Sequence, residues 1–317
     1  MAGQSTRVVV AALAANVAIA TVKFIAAGAT GSSAMLAEGI HSVVDSGDAV
    51  LLLVGMRLAA RPPDEVHPFG HGKDVFFWSL IVAMLIFGVG GGVTAYEGIL
   101  RVRSAQPLRE AGWSYGVLAA AAIFEGVSLV IGLRSFLDYR RKRLPGRSVL
   151  RAMHMAKDPT VFTVVLEDSA ALIGLVLAFA GLFLTSTLGD PRYDGIASIL
   201  IGLVLAAVAV LLGAECRDLL VGERALPYVI AGVRTLAEGH PGVERIREIS
   251  TMQIGPDDVL LTMSVRFRQG SDGGLVRTAR ELDHAIKERF PEVKRVFFEA
   301  GALEDDPEVE REKGNAS

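Results

Sequence analysis

Six long apolar runs occupy the first 220 residues of the chain, and a mixed polar pattern follows them. The runs lie at about residues 8–28, 33–56, 75–100, 114–136, 160–185 and 195–219. Each is long enough to cross a hydrocarbon core of about 30 Å as a helix. The pattern therefore predicts an α-helical membrane protein with six transmembrane helices. A short polar leader, MAGQSTR, favours a retained first span over a cleaved signal or a transit peptide.

The hydrophobic pattern changes after the sixth run to that of a small soluble domain. It predicts a helix, two strands joined by a short Gly-Pro-Asp turn, an amphipathic helix and a closing strand. The order α-β-β-α-β indicates a two-layer α+β domain of the ferredoxin-like or metallochaperone-like kind. The predicted domains are 1–220 in the membrane, 221–301 as the α+β domain, and a disordered charged tail at 302–317.

Basic residues in the short loops predict the orientation in the membrane. The loop between the fourth and fifth runs holds Arg140, Arg141, Lys142, Arg143, Arg147, Arg151 and Lys157. The loop between the second and third runs adds three more basic residues, whereas the loop after the first run has none. Both termini are therefore predicted to be cytoplasmic, in the cell (plasma or inner) membrane, with the basic loop near anionic lipid headgroups of the bilayer.

Composition narrows the possible classes of function. The chain is 51% hydrophobic with a formal net charge of -3, and its mean hydropathy is +0.42. This balance fits a membrane protein and carries no global basic signature for nucleic acid. Cys216 is the single cysteine, which excludes intramolecular disulfides and cysteine-based zinc knuckles.

The second apolar run carries an unusual set of ionisable side chains. His41 and Asp45 are four residues apart and so share one face of a helix, with Glu38 and Asp48 about one turn to either side. Ionisable groups at bilayer depth commonly mark an ion or proton pathway. The alternative is a polar pair that only joins two helices.

Three further features extend this picture. Glu167 and Asp168 lie inside the fifth run, while Asn16 and Glu125 lie in the first and fourth, where they either serve an ion or proton path or bond neighbouring helices. The glycine-rich residues 88–92 predict close packing of the third helix on a neighbour. The loop after the second run places Asp64, His67 and His71 at metal-ligand spacing, although Pro68 and Gly70 also fit a tight turn.

Taken together, these segments resemble the cation diffusion facilitator family over nearly the whole chain. EGIHSVVDSGDAVLLLVG, RPPDEVHPFGHGK and ISTMQIGP carry the resemblance. HPFGHGKDVFFWSLIVA and DPTVFTVVLEDSAALIGL are most similar to its zinc transporter nine-like branch. The resemblance implies efflux of a divalent metal by metal/proton antiport, and a homodimer formed through the cytoplasmic and transmembrane domains.

The same resemblance implies a transport site between the second and fifth helices. His41, Asp45 and Asp168 match the family's ligand positions, whereas Val164 stands where most zinc-transporting members have histidine. Glu167 is the candidate for the remaining ligand, although neighbouring helical residues point about 100° apart. Asp64, His67 and His71 match a loop metal site of some members.

The expected substrate is zinc, with manganese, iron(II) or cobalt as alternatives because one nitrogen ligand is missing. Protons would compete with the metal for His41. No resident cofactor is expected. In the soluble domain, Arg247, Met263, Glu299 and Gly301 occupy the family's metal-bridging positions, which argues against a binuclear zinc site there.

Two other functions remain open at this point. An intramembrane metalloenzyme is disfavoured because HPFGH lacks the glutamate of HExxH and lies in a loop. A membrane scaffold that senses metal without transporting it is compatible with Val164 in place of a ligand.

Overall fold

The computed structural model describes residues 2–104, 111–268 and 274–300 of the chain. The described residues form two compact units: those within 2–61 and 74–217, and those within 62–73 and 218–300. The charged tail predicted at 302–317 lies outside the described residues.

The first unit is helical. Its helices are α1 (Ala2–Thr30), α2 (Ser33–Ala59), α3 (Asp74–Leu85), α4 (Thr94–Arg103), α5 (Ala111–Arg143), α6 (Val149–Met155), α7 (Pro159–Leu188) and α8 (Arg192–Val221). A π-helical segment, Ile86–Val93, joins α3 to α4. The six predicted runs correspond to α1, α2, the α3–π–α4 rod, α5, α7 and α8, while α6 is a short helix in the basic loop.

Four helices among the described residues are long and apolar enough to cross a membrane. They are Asp74–Arg103, Ser114–Arg143, Phe162–Leu188 and Arg192–Val221. The described part of the first run is a shorter apolar helix, Asn16–Thr30. Helix α2 has 27 residues, but Glu38, Asp45 and Asp48 interrupt its apolar sequence. Spans three to six thus meet the length and hydropathy that a crossing needs, and spans one and two stay predictions.

The π-helical segment departs from the uninterrupted α-helix that the third apolar run predicted. It coincides with the glycine-rich stretch, and at Gly91 a Cβ atom would lie only 3.0 Å from the carbonyl oxygen of Gly202 on α8. Because glycine lacks that atom, the two backbones approach closely. The expectation of close helix packing at these glycines is therefore confirmed at Gly91.

The start of α2 is held by side chains from two places. Ser32 accepts a hydrogen bond from the backbone N–H of Met35 at 3.2 Å, as an N-cap residue does. Asp194 of α8, which is buried, accepts from the backbone N–H groups of Ser33 at 2.6 Å and Ala34 at 3.4 Å. A carboxylate here also complements the positive end of the helix. These bonds fix where α2 begins, and hence the position of its ionisable side chains.

The core of the first unit forms where α2 packs against α1, α3 and α7, and where α5 packs along α7. Its buried apolar side chains include Met35, Leu52, Val82, Ile86, Phe162, Leu175, Leu182, Leu205 and Leu212. The ionisable face of α2 is therefore enclosed by neighbouring helices.

The second unit has the predicted order of elements. They are α9 (Pro227–Glu238), β1 (Val243–Gly255), β2 (Asp258–Phe267), α10 (Gly274–Arg289) and β3 (Val293–Ala300). The sheet order is β1-β2-β3, with β1 antiparallel and β3 parallel to β2. Alternate residues of β2 are buried, namely Val259, Leu261, Met263 and Val265. The prediction of an α-β-β-α-β arrangement is confirmed.

Candidate metal-transport site

One face of α2 carries four ionisable side chains in a row. Glu38, His41, Asp45 and Asp48 are spaced by three, four and three residues, which places them along one side of a helix. Glu38 and Asp48 are 0% exposed and His41 is 2% exposed. We call these four residues the α2 row.

The α2 row is poor in hydrogen-bond partners. Nδ1 of His41 lies 3.3 Å from Oδ1 of Asp45, yet neither ring nitrogen of His41 makes a hydrogen bond to any described residue. The same holds for Oδ1 of Asp45, Oε1 of Glu38 and both carboxylate oxygens of Asp48. Buried polar atoms are normally bonded, and leaving one unbonded costs about 1–3 kcal/mol. So many in one row indicate a place for an ion.

Helix α7 faces this row with two carboxylates. Oε1 of Glu167 is buried without a hydrogen bond to any described residue, and the charges of Asp48 and Asp45 act on it. Asp168 accepts a hydrogen bond at 2.8 Å from Ser128 of α5 and is also within electrostatic range of Asp45. Asp45 is thus the common neighbour of both α7 carboxylates.

Val164 takes no part in this polar arrangement. Its side chain lies beside Gly132 of α5, where a Cβ atom would be 3.1 Å from Cγ1 of Val164, and the residue is 36% exposed. The position at which most zinc-transporting members have histidine therefore offers no ligand atom here.

The predicted transport ligands are near each other but are not gathered around one point. Among the described residues, three His, Cys, Asp or Glu side chains with ligand atoms mutually within 4.8 Å occur in the loop and not in the spans. The structure pairs His41 with Asp45 and Asp168 with Ser128. A metal bound between α2 and α7 would therefore need side-chain movements to close its ligand shell.

The loop cluster is Asp64, His67 and His71. Oδ2 of Asp64 lies 2.9 Å from Nε2 of His71, and Oδ1 accepts a hydrogen bond at 2.6 Å from the backbone N–H of His67. The two imidazole ring centroids are 4.3 Å apart. Hydrogen bonding from His71 and from the backbone of His67 lowers the pKa of Asp64 to about 2. The carboxylate is therefore ionised at any physiological pH.

The loop also has features of a tight turn. The backbone N–H of Gly70 donates to the carbonyl of His67 at 2.8 Å. Arg295 of β3 donates to the carbonyl of Phe69 at 3.0 Å and its guanidinium lies 5.3 Å from the centroid of the Phe69 ring. The loop is thus a tight turn, and this turn brings together three side chains of the kinds that bind metals.

The remaining predicted polar residues lie around the α2 row. Glu125 of α5 is half-buried, and the charges of Asp45, His41 and Asp168 act on it. Asn16 of α1 is half-buried, seven residues before Lys23 and so two turns away on the same side of the helix. Glu125 is the better placed of the two to exchange a proton with the site.

Lys23 of α1 is the functional candidate that sequence reasoning missed. It is completely buried, and its ammonium lies 3.1 Å from Oε2 of Glu38 and donates to Oγ of Ser42 at 2.8 Å. The available signal was a single lysine within the first apolar run. Pattern alone does not identify its partner, which lies on the following helix.

Described residues between 221 and 300 hold no cluster comparable to that of the loop. Met263 is buried in the core, Arg247 lies on β1, and Glu299 accepts a hydrogen bond from Ser264. Gly301 lies outside the described residues. The expectation that no binuclear zinc site is built here stays a prediction.

A membrane-embedded helical unit with a buried row of ionisable groups is typical of an ion transporter. Residues 9–221 match the family model of the cation efflux transmembrane domain. The match covers more than half of the chain, and the protein belongs to the cation efflux family. Its members are membrane transporters and not enzymes, so the metalloenzyme alternative is excluded.

Curated relatives include mitochondrial zinc antiporters and bacterial cation-efflux pumps. The chain is 30% identical over 292 residues to human "proton-coupled zinc antiporter SLC30A9, mitochondrial", covering 91% of this chain and 50% of that protein. It is 32% identical over 238 residues to the Xenopus laevis protein of the same name, covering 75% and 42%. It is 27% identical over 291 residues to the "cation-efflux pump FieF" of Klebsiella pneumoniae, covering 90% and 89%. The chain thus spans about half the length of the SLC30A9 proteins that it matches.

Proposed function

We propose that this protein exports a divalent metal cation, with zinc as the main substrate, in exchange for protons. The observation that carries the proposal is the α2 row: buried nitrogen and oxygen atoms of His41, Asp45 and Asp48 make no hydrogen bond to a described residue, and Asp45 and Asp48 act electrostatically on Glu167 of α7. A cation bound between α2 and α7 would satisfy them. His41, Asp45, Asp168 and Glu167 are the proposed ligands.

The donor atoms suit a borderline divalent ion. One imidazole nitrogen and several carboxylate oxygens bind zinc in tetrahedral sites, and they also bind manganese, iron(II) and cobalt. Val164 leaves the site with fewer nitrogen ligands than a two-histidine site, which favours harder ions to some degree. An exporter of manganese, iron(II) or cobalt is therefore the second candidate.

Proton exchange follows from competition for the same atoms. The imidazole of His41 binds a metal only when that nitrogen is free of a proton, so entry of a proton favours release of the metal. Rocking of the helices around a fixed midplane site would present it alternately to each side of the membrane. The names of two relatives, proton-coupled zinc antiporter and cation-efflux pump, support the proposal of metal export in exchange for protons.

The transporter is proposed to be a six-span homodimer in the cell (plasma or inner) membrane, with cytoplasmic termini and both domains contributing to the dimer. Helix α2 has 27 residues and so is about 40 Å long, which is sufficient to cross the hydrocarbon core. Labelling of single cysteines from each side of the membrane tests the topology. Cross-linking of full-length protein in the membrane tests the dimer.

The loop cluster of Asp64, His67 and His71 is proposed as a second metal site. Its three side chains are close enough to share one ion. If the protein sensed metal without transporting it, this loop would be the site of sensing. Transport would thus depend on the α2 row, and sensing without transport would depend on the loop cluster.

Transport by purified protein in sealed vesicles separates these functions. We expect zinc uptake that requires an imposed pH gradient and collapses when the gradient is dissipated. Manganese, iron(II), cobalt and cadmium, measured in the same vesicles, give the metal preference. Metal binding without flux under any gradient would contradict transport and support the sensor.

A further inference from the structure

Lys23 is a buried cation at the junction of three helices. Its ammonium contacts Glu38 and Ser42, which are one turn apart on α2 and therefore reach the same nitrogen. A lysine near a helix end usually extends its charge to the membrane surface. Lys23 and Glu38 instead are both 0% exposed. The pair is thus enclosed by protein on all sides.

Stability alone is a poor reason for this arrangement. Burying two charges costs several kcal/mol for each ion, and packed apolar side chains of similar volume are often at least as stable. The charge of Lys23 also reaches beyond its direct partner, since it acts on His41, Asp45 and Glu125. Its field therefore covers the proposed transport site.

Glu38 is held between Lys23 and α7. One carboxylate oxygen contacts the ammonium, while the other is buried without a hydrogen-bond partner among the described residues. That second oxygen faces Gly174 of α7, where a Cβ atom would lie 2.6 Å away. Glu38 is also one turn before His41 in the α2 row. The charge of Glu38 acts on His41 and Asp45, and its contact with the ammonium of Lys23 restrains it.

We infer that Lys23 is a positioning residue that keeps Glu38 out of the metal shell and cancels its charge. This inference rests on the proposed function. The restraint sets how many carboxylates the metal meets, and so keeps binding weak enough for release on the far side. Without the ammonium, Glu38 becomes an additional anionic ligand. The metal would then bind more tightly and leave more slowly.

The central test is zinc transport by the full-length Lys23→Met variant in vesicles with an imposed pH gradient. We expect both KM and the maximal rate to fall about tenfold, because a tighter ground state lowers KM and slows release. Lys23→Met combined with Glu38→Gln removes the added ligand together with the ammonium. It should return both values to within about twofold of the wild type.

Glu38→Gln alone provides a second, opposite prediction. The ammonium then stays in place without its counter-charge and repels the incoming dication, so KM should rise about tenfold. This variant carries the test even if Lys23→Met does not fold. Arg101→Met is the matched control, because Arg101 lies 3.8 Å from Asp194 and its loss also breaks a buried charge pair. It should lower thermal stability and leave KM unchanged.

The outcomes separate this inference from the proposed function. An unchanged KM for zinc in Lys23→Met would overturn the role of Lys23. If Lys23→Met does not fold, an unchanged KM in Glu38→Gln would overturn it. So would failure of the double variant to recover. Absence of gradient-driven flux in the wild-type protein would instead overturn the transport function itself.

Discussion

The two candidate metal sites of this protein differ in whether their polar atoms are hydrogen-bonded to other residues. In the loop, Asp64 bonds to His71 and to the backbone of His67, so the cluster is assembled and half-exposed before any metal arrives. In the α2 row, His41 and Asp48 are buried without hydrogen bonds to the described residues. An exposed cluster can settle its charges internally and with water. In the buried row, an ion or a proton can do so.

This difference in hydrogen bonding distinguishes a site suited to holding a metal from a site suited to transporting one. A preassembled loop site holds a metal at little cost of reorganisation, whereas transport requires a site that can be left as well as entered. The incomplete ligand shell between α2 and α7 is suited to exchange between a metal and protons. The following predictions test whether the two sites differ in this way.

The largest effect is expected from His41→Ala. This change removes the nitrogen ligand of the α2 row, and zinc flux should fall about 100-fold or more, since even outer-shell partners of metal ligands contribute 10–100-fold. Flux through vesicles of the variant, normalised to folded protein, is the measurement. The matched change in the loop, His67→Ala, should keep at least half of the flux. Equal losses in both variants would remove the distinction between the sites.

Changes at the two α7 carboxylates should differ less in their effect on zinc flux than the changes at His41 and His67 do. Glu167→Gln is expected to lower flux about tenfold, because its buried Oε1 makes no hydrogen bond to a described residue and the charges of Asp48 and Asp45 act on it. Asp168→Asn should have an effect of similar or greater size, with Ser128→Ala reproducing part of it through loss of the 2.8 Å hydrogen bond. Metal titrations of all three variants provide the check. Normal affinity in Glu167→Gln would remove it from the ligand set.

The Asp64 carboxylate should not limit metal binding by the loop at physiological pH. The pKa of Asp64 is lowered from 3.8 to about 2, so its ionised form stabilises the loop above pH 3.8. That contribution is lost only as the pH falls through about 2. A ligand atom binds a metal only when it is free of a proton, so metal affinity of the loop should still fall as the medium is made acidic.

Asp64→Asn identifies the source of that pH dependence. It should weaken metal binding to the loop about tenfold at pH 7.5 and leave the midpoint of the pH profile within about 1 unit of the wild type. A midpoint displaced by more than about 1 unit from that of the wild type would show that the Asp64 carboxylate itself sets the pH dependence of binding.

The smallest effect on flux is expected where α2 begins. Asp194→Asn weakens the bonds to the N–H groups of Ser33 and Ala34, at a cost of about 0.5–2 kcal/mol in the stability of the folded unit. Thermal unfolding in detergent should show a lower midpoint, while KM for zinc stays near the wild-type value. A large change in KM would mean that the start of α2 takes part in transport.

Sequence reasoning predicted the parts of this molecule that depend on local pattern. The i, i+4 spacing of His41 and Asp45 and the alternation along β2 are set by helix and strand geometry, so one chain segment contains the information. The pairing of Lys23 with Glu38 needed knowledge of how α1 packs on α2. The capping of α2 by Asp194 joins residues 160 positions apart in the chain. Such contacts follow from packing and leave no periodic signal.

The π-helical segment and the α7 carboxylates show the same limit. The glycine-rich stretch predicted close packing, but it predicted neither the π-helical turns nor the neighbour of Gly91, which is Gly202 on α8. Helix geometry set Glu167 and Asp168 on different faces, and left open which would face the α2 row. In the folded chain, Asp168 bonds to Ser128 of α5 while Glu167 faces Asp45 and Asp48.

Zinc coordination in a protein without its loop site tests the central claim most directly. In the full-length protein carrying Asp64→Ala, His67→Ala and His71→Ala, X-ray absorption should report one bound zinc with one nitrogen ligand and otherwise oxygen ligands, at about 2.0–2.2 Å. Addition of His41→Ala should remove the nitrogen. Absence of bound zinc once the loop ligands are gone would contradict a metal site between α2 and α7.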